Sequence, residues 1–431
     1  MEMGLGGLKH LFVTVFLSDF ATFMVFPAIT DVTMSALCPG ETECSLAIYL
    51  SGSQQAIIGL GSVVMMPLIG NLSDKYGRKA LLTLPMTISI IPLVILAYKR
   101  TTNFFYAYFA LRTVTAMISK GSIQCLALAY VADTVPERLR ASGFGVIAGV
   151  ISAAYVFATL ATRCLTTALT FQIAALVSVA ATVYMRVFLE ESVSNGENLT
   201  RPVLKEAGDD IEDRSNLLGK DHKFKTIPSL RDLICLLKIS STFSQAAVIS
   251  FFNGLAEGGV EVSLMYFLKA RFNFSKNQYA DLMLIGGVAA MVMQLLFVPL
   301  MVPFVAEERL LSIGLFGGVT YFLVYSIAWS KWVPYANALL AALLVVVHPF
   351  LGSIASKQIG PEEQGKAQGC IQGISSLGTI ISPLIFTPLT ALFLSEEAPF
   401  NFPGFSVLCV GVAMMISFIQ SLFIRTGPSK S

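Results

Sequence analysis

Several titratable or charged side chains fall inside long apolar runs of this sequence, and the chemistry open to them is the binding and passage of protons and ions. Asp19 stands within the run 9–36, Arg112 and Lys120 within 103–131, Glu257 and Glu261 within 240–267, and His348 within 333–355. A charge in hydrocarbon costs about 2.5 to 3.5 kcal/mol on insertion scales, so one that persists must face a cavity or a partner. Glu257 and Glu261 are four residues apart, which places both on one helix face, and two carboxylates that close raise each other's affinity for a proton. A proton shared between them is therefore expected. Around them, Asn253-Gly-Leu-Ala-Glu257-Gly-Gly-Val-Glu261 carries three glycines, which weaken a helix and are expected to open it. Asp19 is expected either to take up a proton or to be locked against Arg112, whose charge is permanent. His348, beside Pro349, reads as a kink with a satisfied imidazole or as a proton relay. Proton-coupling candidates are thus Asp19, Glu257, Glu261 and His348. Cavity candidates are Arg112, Lys120, Gln124, Gln54 and Asn253, against the alternatives of helix-to-helix glue for the glutamines and snorkelling for Lys120.

A second cluster has the opposite setting. Gly70-Asn-Leu-Ser-Asp74-Lys-Tyr-Gly77-Arg78-Lys79 is a stretch of turn and charge between two apolar runs, so it must lie at a membrane surface. Gly70 permits two helices to approach closely, Gly77 permits a turn with positive φ, and Asp74 is within reach of Lys75, Arg78 and Lys79.

The elements that must hold these residues are membrane-spanning helices. The chain has 431 residues, of which 55% are hydrophobic and 13% charged, far from the quarter charged that a soluble protein carries. Taking 19 to 25 apolar residues as one crossing gives twelve: about 9–36, 47–70, 79–98, 103–131, 141–163, 166–189, 240–267, 277–302, 308–329, 333–355, 367–394 and 403–424. An even count puts both termini on one side. Loops after even-numbered crossings, with the termini, collect 20 of the 29 lysines and arginines, which makes that side cytoplasmic. The first run lacks a small-residue cleavage site and reads as a spanning helix, not a removable signal peptide.

Residues 190–239 hold 18 of the 56 charged residues and read as a cytoplasmic linker between an N-terminal bundle, 1–189, and a C-terminal bundle, 240–431. An internal repeat makes the same cut. Pro136-Glu137-x-x-Arg140-Ala141-x-Gly143 recurs as Pro361-Glu362-x-x-x-Lys366-Ala367-x-Gly369, whereas Glu307-Glu308-Arg309 stands where the ordered cluster of Gly70 to Lys79 would recur. Of the glycosylation sequences, Asn198-Leu-Thr200 falls in that linker and Asn273-Phe-Ser275 hugs the membrane, so neither is expected to be modified. Five cysteines (Cys125, Cys164, Cys235, Cys370, Cys409) lack metal-ligand spacing. Cys38 and Cys44 bracket a polar turn, where a small disulfide loop and two free thiols are both open. Gly360-Pro-Glu-Glu-Gln-Gly365-Lys366-Ala367 has the spacing of a phosphate-binding loop, but Ala367 replaces the Ser or Thr that would hold magnesium, and no strand precedes it. No cofactor, metal site or nucleic-acid surface is read, and no nucleophile, base and orienting group recur as an enzyme would need.

The pattern Gly-x-x-x-Asp-[Arg/Lys]-x-Gly-Arg-[Arg/Lys] is met at every fixed position from Gly70 to Lys79, and it resembles the signature loop between helices 2 and 3 of the major facilitator superfamily. Arg112 resembles the buried arginine of that family's helix-4 motif. Ala129-Tyr-Val-Ala-Asp133, followed by Pro136-Glu137 and Arg140, resembles the helix 4–5 junction of tetracycline/proton antiporters, and Asp19 their helix-1 acid. The resemblance covers essentially the whole chain and is greatest to the tetracycline-transporter-like group that includes the hippocampus-abundant-transcript proteins and their plant relatives. It implies an all-α integral membrane protein, twelve helices in two pseudo-symmetric bundles, that moves a small organic solute by alternating access with protons as co-substrate. Gly70, Asp74, Gly77, Arg78, Lys79, Asp133 and Arg140 would then form its gate. The helix-5 antiporter motif expects Gly-Pro and then paired glycines, where this chain has Ala158-Thr159 and Thr162-Arg163. Uncoupled facilitation, and a receptor that keeps the transporter fold, are the alternatives. A monomer in the plasma membrane or a vacuolar or other internal membrane is expected.

Overall fold

The computed structural model describes residues 2–37, 45–192, 240–274, 276–395 and 398–424. Cys38, Cys44, Cys235, Ser275 and most of the linker, with Asn198-Leu-Thr200, lie outside them. The described secondary structure is helical throughout, as a bilayer requires: with no water to bond N–H and C=O groups, each segment must satisfy its backbone internally.

Twelve helical units follow one another: α1 (Glu2–Leu37), α2 (Ser45–Tyr76), α3 (Arg78–Tyr98), α4a (Thr102–Ser119) with α4b (Ser122–Thr134), α5 (Arg140–Arg163) and α6 (Thr167–Phe188). The second half gives α7 (Ser241–Phe272), α8a (Lys276–Val292) leading to α8b (Val298–Met301), α9 (Glu307–Ser326), α10a (Trp332–Ala338), α10b (Ala341–Leu344) and α10c (Val347–Lys357), α11 (Gln364–Leu394), and α12 (Phe405–Ser421). Ten spans are long and apolar enough to cross a membrane; α7, diluted by its charges, and the 17-residue α12 complete the set. Each sequence-derived crossing coincides with one unit. The stretch Gly70–Lys79 is shorter as a turn than expected, because α2 continues to Tyr76 and α3 resumes at Arg78. Gly77 alone, at φ 93°, makes the corner.

The helices form two six-helix bundles, α1–α6 and α7–α12. They meet where α2 lies along α11 and α5 along α8, and also where α4b and α10c close the end that carries the α2–α3 corner, here called the corner face. The core of the first bundle is in two parts. Leu11, Leu82, Leu126 and Phe144 pack at the corner face, while Met24, Leu96, Phe105 and Phe171 pack towards the far face.

Three helices are interrupted at membrane depth. α4 breaks at Lys120-Gly121, where Gly121 has φ 79°; α8 passes through a π-helical turn over Met293–Phe297; and α10 comes in three pieces. The expected opening of α7 does not occur. That helix is continuous, and its glycines serve contact instead: a Cβ on Gly254 would strike the Ser375 carbonyl of α11, and one on Gly258 would meet Ser382.

Candidate functional site

The corner face is closed by polar contacts built around α2's last turn. Gly70 and Gly365 meet back to back, and a Cβ on either would fall on the other's carbonyl oxygen. That close approach brings Asp74 to the start of α11, where its Oδ1 and Oδ2 accept hydrogen bonds from the N–H groups of Gly365 and Lys366, each at 2.9 Å. The first N–H groups of a helix have no internal acceptor and carry the positive end of its dipole, so a carboxylate suits them. The phosphate-loop look-alike at Gly360–Ala367 is thus a helix N-terminus whose anion is the protein's own Asp74.

Arg78 holds Asp74 in place. It forms an ion pair with Asp74, donates from Nε to Asp133 Oδ2 at 2.8 Å and from Nη1 to Ser73, and is 2% exposed. Glu191, just past α6, accepts from the backbone N–H groups of Arg78 and Lys79 and so caps α3, while Ser192 Oγ donates to Asp133 at 3.1 Å. Lys79 contributes here through its backbone.

A second charge crosses the seam. Arg140, at the start of α5, donates through Nη1 to Ser356 Oγ at 3.0 Å and to the Ser356 carbonyl at 3.4 Å, in the last turn of α10c. Gln364 fastens the same serine from α11, accepting its hydroxyl at 2.6 Å. Within the second bundle, Glu307 at the start of α9 pairs with Lys357 at 2.7 Å and accepts from Ser353 at 2.8 Å. The ion pair Arg78–Asp133 therefore has a counterpart of inverted polarity, Glu307–Lys357. Sequence reasoning gave Glu191 no role within the linker 190–239 and saw Glu307 only as a departure from the repeat. Ser356, Lys357 and Gln364 gave it no signal.

The interior group differs from its expected form. No hydrogen bond joins Glu257 to Glu261 among the described residues; those of Glu257 run to His348 and Asn253. Its Oε1 lies 2.7 Å from His348 Nε2 and accepts from Asn253 Nδ2 at 2.9 Å. The reason is the break before α10c, which begins at Val347 and turns the His348 ring towards α7. Asn253 is fully buried, with its Oδ1 unpartnered, whereas the Glu257 and His348 side chains keep 37% and 26% exposure deep in the protein, as groups facing a cavity do.

Asp19 and Arg112 do not pair either: among the described residues neither side chain has an ionic partner, which corrects the expected lock between α1 and α4. Gln54 ties α2 to α4 through Phe109 O and Thr113 Oγ1. Lys120 donates to Gln55 of α2 at 3.1 Å. Gln124 is half-buried, without a hydrogen-bonding partner among the described residues. The described residues hold no cluster of three His, Cys, Asp or Glu side chains that could ligate a metal.

The geometry can be set beside known proteins. A family model described as Major Facilitator Superfamily matches residues 11–383. The chain is 23% identical to human hippocampus abundant transcript-like protein 1 over 96% of its own length and 80% of that protein's. It is 24% identical to the class C tetracycline resistance protein of Escherichia coli, over 85% of both. A crystal structure of a human organic anion transporter superposes with a TM-score of 0.77 at 19% identity, covering 97% of this chain and 99% of that one, which shows a common fold.

Proposed function

This chain belongs to the Major Facilitator Superfamily, and from that premise we propose that it is a secondary active transporter that moves a small organic solute by alternating access, driven by protons. The observation that carries the proposal is the seam at the corner face. Asp74 of one bundle sits on a helix N-terminus of the other and Arg140 on a helix C-terminus, so closure rests on a few polar contacts that can be broken and remade. The bundles 1–189 and 240–431 rock about the long α2–α11 and α5–α8 contacts, with 190–239 as the cytoplasmic linker. The basic residues favour the corner face as cytoplasmic, so the closed seam corresponds to an outward-facing state.

Proton coupling is assigned to Glu257 and His348, with Asp19 as a second acceptor. A proton gained or lost by the Glu257–His348 pair changes the charge on a wall that touches both α7 and α10, and α10 also bears one side of the seam at Ser356. That shared helix is the link between protonation and gating. The test is uptake by proteoliposomes from a metabolite extract under an imposed pH gradient. Gradient-driven accumulation should be lost in Glu257→Gln and weakened in Asp19→Asn. Accumulation that ignores the gradient in the wild type would make the protein an uncoupled facilitator, and binding without accumulation would make it a receptor.

A further inference from the structure

The transporter reading leaves the chemical class of the solute open, and the charges of the cavity narrow it. Arg112 and Lys120 are eight residues apart on α4, two turns along one face, with their backbones about 12 Å apart along the axis. Both lie within the apolar span Thr102–Thr134; Arg112 is half-buried, and Lys120 is exposed and donates to Gln55 of α2 at 3.1 Å. Neither has a carboxylate within ion-pair distance among the described residues. The acids that bear on this space are Asp19 on α1 and Glu257 and Glu261 on α7. Glu257 is taken by His348, and neither Glu261 nor Asp19 lies within ion-pair distance of either cation among the described residues.

Two cations on one wall repel each other and, away from bulk water, call for a counter-anion. The backbone adds to the same field. The break at Lys120-Gly121 makes Ser122 the first residue of the 13-residue α4b, whose opening N–H groups have no helical acceptor, and the fully buried Ser122 hydroxyl has no hydrogen-bond partner. Half-helix N-termini at membrane depth favour anionic groups.

We infer that the transported solute is an organic anion of the carboxylate class, held by its negative group between Arg112 and Lys120 of the first bundle and facing the Glu257–His348 pair of the second. This rests on the transporter reading for the same cavity. The two walls differ in kind: α4 carries two basic side chains, and α7 with α10 carries the hydrogen-bonded Glu257–His348 pair.

The experiment is uptake and heat stabilisation of the full chain in proteoliposomes and nanodiscs, with benzoate, glutarate and 6-carboxyfluorescein as anions, tetraethylammonium as cation and galactose as uncharged probe. At least one anion should be taken up and should raise the melting temperature, with neither effect from the other two probes. Arg112→Gln and Lys120→Gln should each raise KM for that anion about tenfold or more, while Arg112→Lys retains part of the affinity. Correct assembly of each variant is checked by its elution as a single species. An anion that stabilises the protein without being taken up would support the anion site between Arg112 and Lys120 while defeating the transporter reading. Uptake of tetraethylammonium or galactose instead of the anions, no effect of any anion, or an unchanged KM in both glutamine variants would overturn it.

Discussion

Asp74 makes one carboxylate serve two purposes: it answers Arg78 inside its own bundle and the first N–H groups of α11 in the other. Asparagine keeps the shape but loses the charge and one acceptor. Asp74→Asn should therefore weaken the closed seam by roughly 1.5 to 3 kcal/mol, the worth of a charge-assisted bond. The readout is thiol labelling of a cysteine introduced at Ser356, which should speed up by ten-fold or more as the corner face opens; unchanged labelling would sink the idea. The chemistry of Asp74, Gly70 and Gly77 was legible in the sequence because turn, charge and small residue lie within ten positions. The partner of Glu257 was not. Glu261 is one helical turn away, but the residue that reaches Glu257 is His348, 91 positions on; the sequence marked a kink beside it at Pro349 but not which helix the ring would meet.

At the level of helices, the seam depends on how nearly α2 and α11 can approach. Gly70→Ala would drive a methyl into the Gly365 carbonyl, and backbone cannot yield as a flexible side chain does. The overpacking cost is on the order of 1–3 kcal/mol and falls on the closed state alone. The variant should fold and insert, yet transport roughly ten times more slowly, with the same labelling signature as Asp74→Asn. Wild-type rates would show that the two helices separate too little for this contact to matter. All twelve crossings could be read from hydropathy because spanning length is set by the bilayer. A kink beside Pro349 in α10 could be anticipated, whereas the break of α4 at Lys120-Gly121 and the π-helical turn of α8 could not, since hydropathy counts crossings and not their continuity. The glycines of α7 misled for a related reason: in a membrane, glycine marks a close helix contact as often as a weak helix.

Across the whole molecule, the pseudo-symmetry of the halves survives in geometry but not in sign. Arg78–Asp133 in one bundle has its counterpart in Glu307–Lys357 in the other, each joining the start of one helix to the end of a neighbour. Each is largely buried, so removing one partner strands a charge at a cost of about 3–5 kcal/mol, whereas exchanging both restores the pair. Glu307→Lys and Lys357→Glu should each reduce the melting temperature and uptake, and the double exchange should recover most of both. Additive losses would mean that the pair does not act as a unit.

The seam between the bundles has a further property. While at the other end of α5 Arg163 pairs with Asp281 of α8, at the corner face the first bundle presents Asp74 and Arg140 to the second, which answers both with backbone and neutral groups at helix ends. When the bundles part, −1 and +1 travel together. Moving a net charge through a membrane potential is worth about 2.3 kcal/mol per 100 mV, but here the two displacements cancel. These two contacts by themselves therefore add no net charge movement to the opening of the gate.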